Sequence, residues 1–112
     1  MKIDRIKATN IELTDAIRAA VEAEVMSLAP LAGRFDGAAT AQVEVGKPSN
    51  HHHTGDVFHA EINLTIPGKL LRAEAEGPDL YVVIKDATKR MHTELAKEKD
   101  KHDTAKHQGD TE

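Results

Sequence analysis

Cysteine and tryptophan are absent from this 112-residue chain, and its only aromatic residues are Phe35, Phe58 and Tyr81. Without cysteine neither a disulfide framework nor a thiolate metal centre can form, and the expected compartment is the cytoplasm. No apolar run reaches the roughly 18 residues of a membrane span, and no charged-then-apolar segment opens the chain, so no membrane partner is expected. An RNA-recognition sheet needs exposed rings on which bases stack, and Phe58 falls in phase with the core, which excludes that mode of binding. Signs of catalysis are also lacking. Asp56 and Glu61 beside His59 sketch an acid–base pair, but no nucleophile motif, phosphate-cradling glycine loop or HExxH helix accompanies them. The expectation is a protein that is not an enzyme and has no cofactor and no small-molecule substrate.

What remains is 39% hydrophobic and 30% charged, which suits one small domain with a modest core. A net charge of −4 argues against coating nucleic acid by bulk attraction. The charges are unevenly spread, however. Residues 35–78 hold three basic and six acidic side chains, whereas residues 79–107 hold seven basic and six acidic. Cations gather toward the C-terminal end.

The pattern of elements is readable in order. Met1 to Thr9 is an imperfectly alternating strand around Ile3 and Ile6. Thr14 is a helix N-cap, followed by Asp15 where negative charge suits the helix dipole. Ile17, Ala20, Val21 and Leu28 share a face as far as Ala29, and Pro30 is expected to end that helix. Glu24 flanks the rim of the face. Ala39, Ala41, Val43 and Val45 then alternate with polar residues up to Gly46, and Phe58 to Ile66 does so over nine residues. Pro67-Gly68 makes a tight turn into a third alternating run, which ends at Gly77. Between the first two of these strands lies a polar loop containing His51-His52-His53. Consecutive histidines in a loop rarely converge on one ion, so no metal site is expected there.

Gly77-Pro78 closes the extended segment and Asp79 caps a long helix running to about Asp103. Its apolar stripe is Leu80, Val83, Ile84, Ala87, Met91 and Leu95. Lys85, Lys89, His92 and Lys99 line one edge of that stripe. Asp86, Arg90, Glu94, Lys97 and Lys101 alternate in sign on the far side. A lysine-lined helix is most often only a solvated face; a cationic rail for a polyanion is the sharper reading. The order β-α-β-β-β-α predicts an α+β two-layer sandwich: a four-stranded mixed sheet with two helices on one face, strands one and two parallel and the others antiparallel. The open face would show Thr40, Gln42, Glu44, His59, Glu61, Asn63, Thr65, Arg72, Glu74 and Glu76, a polar and net acidic surface. Residues 1–103 form the domain, and 104–112 read as a disordered tail.

Three motifs, Ile11-Glu12-Leu13-Thr14-Asp15-Ala16-Ile17-Arg18, Pro67-Gly68-Lys69-Leu70-Leu71-Arg72-Ala73-Glu74 and Gly77-Pro78-Asp79-Leu80-Tyr81-Val82-Val83-Ile84, stand here in this order. Together they resemble the ribosome hibernation promoting factor family, which includes ribosome-associated inhibitor A and the sigma-54 modulation proteins. The likeness runs from about residue 2 to 102 and suggests a short form without the second, dimerising domain of longer members. It implies binding of the 30S subunit, alone or in the 70S ribosome, in the channel used by messenger RNA and by A- and P-site transfer RNA. Basic side chains would grip 16S ribosomal RNA, and the free protein would be a monomer. Arg18, Lys69, Arg72, Arg90, Lys97, Lys99 and Lys101 fit the family's basic pattern; helical geometry adds Lys85 and Lys89. Glu24, Ser27, Thr93 and Ala96 depart from it, each removing a phosphate contact. The alternatives are a stand-alone double-stranded-RNA-binding module and a regulatory domain that binds protein through its acidic sheet face.

Overall fold

A computed structural model describes residues 1–35, 38–48 and 57–110, with backbone alone for 102–110. The histidine run His51-His52-His53 lies outside the described residues. The elements are β1 (Lys2–Thr9), α1 (Asp15–Met26), α2 (Ala29–Ala32), β2 (Thr40–Gly46), β3 (Phe58–Ile66), β4 (Lys69–Gly77) and α3 (Leu80–Asp110).

The four strands lie side by side in the order β1-β2-β3-β4. The β1–β2 pair is parallel, and β2–β3 and β3–β4 are antiparallel. This is the mixed sheet predicted from the alternation of apolar residues. The imperfect pattern of the first strand has a local cause: the register slips between Ile3 and Arg5, so that Asp4 is the extra residue of a bulge. Beyond the bulge, alternation resumes with Ile6 and Ala8 on the covered side.

Helices cover one face only, with α3 over β3 and β4 and α1 between β1 and α3. The whole predicted stripe of α3, from Leu80 to Leu95, is buried, together with Ala41, Val43, Val45, Ala60, Ile62 and Leu64 from the sheet. Thr88 joins them because its hydroxyl donates to the Ile84 carbonyl at 2.9 Å, which satisfies the one polar group on that face. From α1, Val21, Val25 and Leu28 are buried, while Ile17 and Ala20 are half-buried. The periodicity argument had passed over Val25.

The starts of α1 and α3 are capped by side chains. Thr14 accepts a hydrogen bond from the Ile17 amide at 3.1 Å, and Asp79 accepts from the amides of Tyr81 and Val82 at 3.0 and 3.4 Å. Pro30 does not end the first helix. That helix stops at Met26, and Ser27 caps it by donating to the Glu24 carbonyl. Pro30 instead sits in the first turn of α2, where a missing N–H costs nothing. At the other end of the chain the helical backbone continues past Asp103 to Asp110.

Candidate nucleic-acid interface

Side chains on α3 divide by depth as well as by sign. Lys85, Lys89, Arg90, Lys97 and Lys101 are exposed, whereas Asp86, Glu94 and Glu98 are half-buried and only Asp100 among the described carboxylates of α3 is exposed. Long cationic side chains lie with their stems along the helix and their heads in water, while the shorter carboxylates remain near the backbone. A partner approaching α3 over Lys85 to Lys97 therefore meets ammonium and guanidinium groups first, although the whole chain is net negative. At 100° per residue the exposed cations form two rows about 120° apart: Lys85 with Lys89, and Arg90 with Lys97 and Lys101. Lys99 is half-buried.

The two rows differ in how they are held. Arg90 reaches the edge of the sheet and donates to the Glu74 carbonyl at 2.6 Å, which fixes its direction without neutralising its charge. Lys97 lies 3.5 Å from Glu94. Glu98 holds two lysines, Lys69 from the start of β4 at 2.9 Å and Lys101 at 3.5 Å. This brings Lys69 to the helix from a distant part of the sequence. By contrast, the ammonium groups of Lys85 and Lys89 have no hydrogen-bond or ion-pair partner among the described residues. Exposed ion pairs are each worth little, about 0–1 kcal/mol at most, so phosphate can replace a carboxylate at Lys69, Lys97 or Lys101.

Two other candidate residues lie elsewhere. Arg18 stands on the far edge of the helical layer, lining a groove of about 390 Å³ with Met1, Ile3, Ile6 and Met26 between β1 and α1. Arg72 projects from the face of the sheet opposite α3. Its guanidinium lies 2.5 Å from Glu61 and 3.4 Å from Glu74, and His59 lies 3.2 Å from Glu74. Strand register explains this cluster, because Lys7, Glu44, Glu61 and Glu74 stand side by side in one row across the four strands. Directly opposed carboxylates repel, and Arg72 and His59 reach in from the neighbouring rows to offset them.

That open face is less acidic than the net acidic surface implied by the alternation of β2, β3 and β4. The register of β1 places Lys2, Arg5 and Lys7 on it beside Thr40, Gln42 and Glu44. It is polarised, basic along β1 and acidic toward β4. The signal lay in the first nine residues but was masked by the bulge at Asp4. Among the described residues, no group of three or more potential ligands is placed to hold a metal ion, and no helix is long and apolar enough to cross a membrane.

Two carboxyls titrate below their ordinary value. Glu98 is lowered chiefly by the hydrogen bond from Lys69, with Lys101 adding to it. Glu74 is lowered chiefly by the hydrogen bond to His59 and then by the charge of Arg72. A depressed folded-state value means stabilisation that is complete above the unfolded carboxylate value and lost as pH falls through the folded one. The protein should therefore lose stability on acidification below about pH 4.3. In urea titrations at pH 7 and pH 3, a Glu74→Gln, Glu98→Gln double variant should show a smaller difference in midpoint than the parent. Equal differences would mean that these pairs contribute nothing.

Comparison with known proteins agrees with the fold. Residues 5–103 match the family model described as sigma 54 modulation protein / S30EA ribosomal protein. The N-terminal domain of Protein Y from Thermus thermophilus is 37% identical, with a TM-score of 0.68 over 85% of this chain and 96% of that one. A ribosomal subunit interface protein from Coxiella burnetii shares the fold at a TM-score of 0.67 and 19% identity, over 89% of this chain and 99% of that one. Among curated proteins no match is found. With nearly the whole domain matched, the chain belongs to the sigma 54 modulation protein / S30EA ribosomal protein family.

Proposed function

We propose that the protein is a non-catalytic, cytoplasmic translation inhibitor that binds the 30S subunit in its messenger and transfer RNA channel, and so holds ribosomes idle. The observation that carries this reading is the family match, which spans residues 5–103 and so takes in most of the sheet and of the helical layer. The physical means is the exposed cation set of α3, supplemented by Lys69, meeting 16S rRNA phosphates. Approach by the other layer is disfavoured where Glu44, Glu61, Glu74 and Glu76 would face phosphate. Orientation on the RNA thus follows from the charge difference between the two layers.

Chemical footprinting of 16S rRNA in purified 30S subunits tests the location. Protection confined to the channel between head and body is expected. Protection elsewhere, or protection of a generic RNA duplex of about 16 base pairs with equal affinity, would favour a double-stranded-RNA-binding module instead.

Glu98 offers a second handle. Replacing it with Gln frees Lys69 and Lys101 from their shared carboxylate and removes one negative charge from the interface. Affinity for 30S subunits should rise roughly threefold at low salt, since exposed pairs are weak, and the gain should disappear at high ionic strength. A Glu98→Gln variant that binds less well would place these lysines outside the interface.

A further inference from the structure

Three aromatic rings are present, and the core accounts for two of them. Phe35 is buried, and Phe58 packs against the core with the Lys47 ammonium 5.5 Å above its ring centre. Tyr81 is different. It is 51% exposed at the start of α3, as is Val82 at 52%, whereas Leu80 and Val83 on either side of the pair are buried. A tyrosine retained for packing would have covered its ring. Its backbone is held firmly nonetheless, because its amide donates to Asp79 within the N-cap.

Lys85 and Lys89 follow Tyr81 at steps of four residues. Each step is 6 Å along the helix and about 40° around it, so ring and ammonium groups lie on one shallow spiral. Both lysines are exposed and neither ammonium group has a partner among the described residues. The carboxylates nearest in sequence are otherwise placed: Asp79 is engaged by the Tyr81 and Val82 amides, and Asp86 is half-buried and makes no ion pair with either lysine. An open aromatic face followed by unpaired cations is the arrangement that takes single-stranded nucleic acid, with a base on the ring and its phosphates along the cations. A duplex keeps its bases stacked and cannot present a face to the ring.

We propose that Tyr81 is a stacking platform for one unpaired RNA base, with Lys85 and Lys89 holding the adjoining phosphates. This rests on the reading of the protein as an rRNA binder and specifies the element recognised: a single-stranded segment with a splayed-out base. It also offers a physical replacement for the cations missing at Thr93 and Ala96, moving the strand toward the N-terminal end of α3.

The chain's one tyrosine and lack of tryptophan make the test clean. In the full chain labelled with [13C]tyrosine, a ten-nucleotide single-stranded RNA should move the Tyr81 ring signals upfield, and the same sequence as a duplex should not. In co-sedimentation with 30S subunits, Tyr81→Phe should bind like the parent, while Tyr81→Leu and Tyr81→Ala should bind about tenfold more weakly. No ring shift, an equal shift with the duplex, or a Leu variant as tight as the parent would overturn the proposal. If Lys85→Glu, Lys89→Glu abolishes subunit binding while the Tyr81 variants leave it intact, stacking is refuted and rRNA binding stands. If the parent shows the ring shift but does not bind subunits, the base-stacking site stands and the ribosomal reading falls.

Discussion

Replacing Lys85, Lys89 and Lys97 together by Glu will leave a folded protein that no longer stays with the small ribosomal subunit. All three side chains are exposed, and among the described residues their only ion pair is that of Lys97 with Glu94 at 3.5 Å. Surface changes of this kind move stability by about 0.5 kcal/mol or less each. Arg90 is left in place because its bond to the Glu74 carbonyl ties α3 to the edge of the sheet. A hydrogen bond to a charged group contributes about 1.5–3 kcal/mol, so losing three phosphate contacts should weaken binding about a thousandfold or more. The slope of log affinity against log salt should also flatten by about two units. Bulk charge is controlled by reversing Lys2, Arg5 and Lys7, which changes net charge equally but lies on the opposite layer. That variant should bind within a few-fold of the parent. If both triples weaken binding alike, the effect is net charge and α3 is not the interface.

A second large effect is expected at a position that touches no RNA. Gly46 ends β2 at φ 149°, and a Cβ added there would stand 1.9 Å from the Thr9 carbonyl oxygen of β1. Other bonds gather at the same junction: the Lys47 amide donates to the Thr9 carbonyl at 3.0 Å, and Asn10 donates to the Lys47 carbonyl at 2.8 Å. The overlap is with backbone and cannot be relieved by a rotamer change. Gly46→Ala should therefore force β1 away from β2 at a cost of about 3 kcal/mol or more, lowering Tm by roughly 15 °C. Gly68 also has positive φ, at 78°, but an added Cβ there meets open space. Gly68→Ala should cost only about 1 kcal/mol. A melting curve of each variant checks the contrast, and a Gly46→Ala protein melting within a few degrees of the parent would show that the junction yields easily.

Long periodic segments were legible in the sequence because burial on one face leaves a regular trace. The stripe from Leu80 to Leu95 and the alternation from Phe58 to Ile66 each encode one amphipathic element, and the sheet order followed from their succession. What escaped were features set by neighbours distant in sequence. One extra residue at Asp4 disturbs the alternation of β1 and hides the fact that Lys2, Arg5 and Lys7 share the open face. Pro30 looked like a terminator, since helix interiors reject proline, yet a new helix begins around it. The cations themselves were visible, but not their partners. Nothing local indicates that Glu98 gathers Lys69 from a hairpin about thirty positions away, or that Arg72, which the alternation does place on the open face, pairs there with Glu61 and Glu74. The helical period does leave Tyr81 outside the stripe, and its ring is exposed as that implies.

The central claim is that an acid-leaning protein binds ribosomal RNA through the exposed cations of one helical face. Sedimentation of purified 30S subunits with the full chain, at about 50 and then 300 mM monovalent salt, tests it most directly. The account predicts stoichiometric co-sedimentation at the lower salt and steep loss at the higher, with a log–log slope of about −3 to −5 for four to six phosphate contacts. Protein left in the supernatant at low salt, or a bound fraction indifferent to salt, would contradict it.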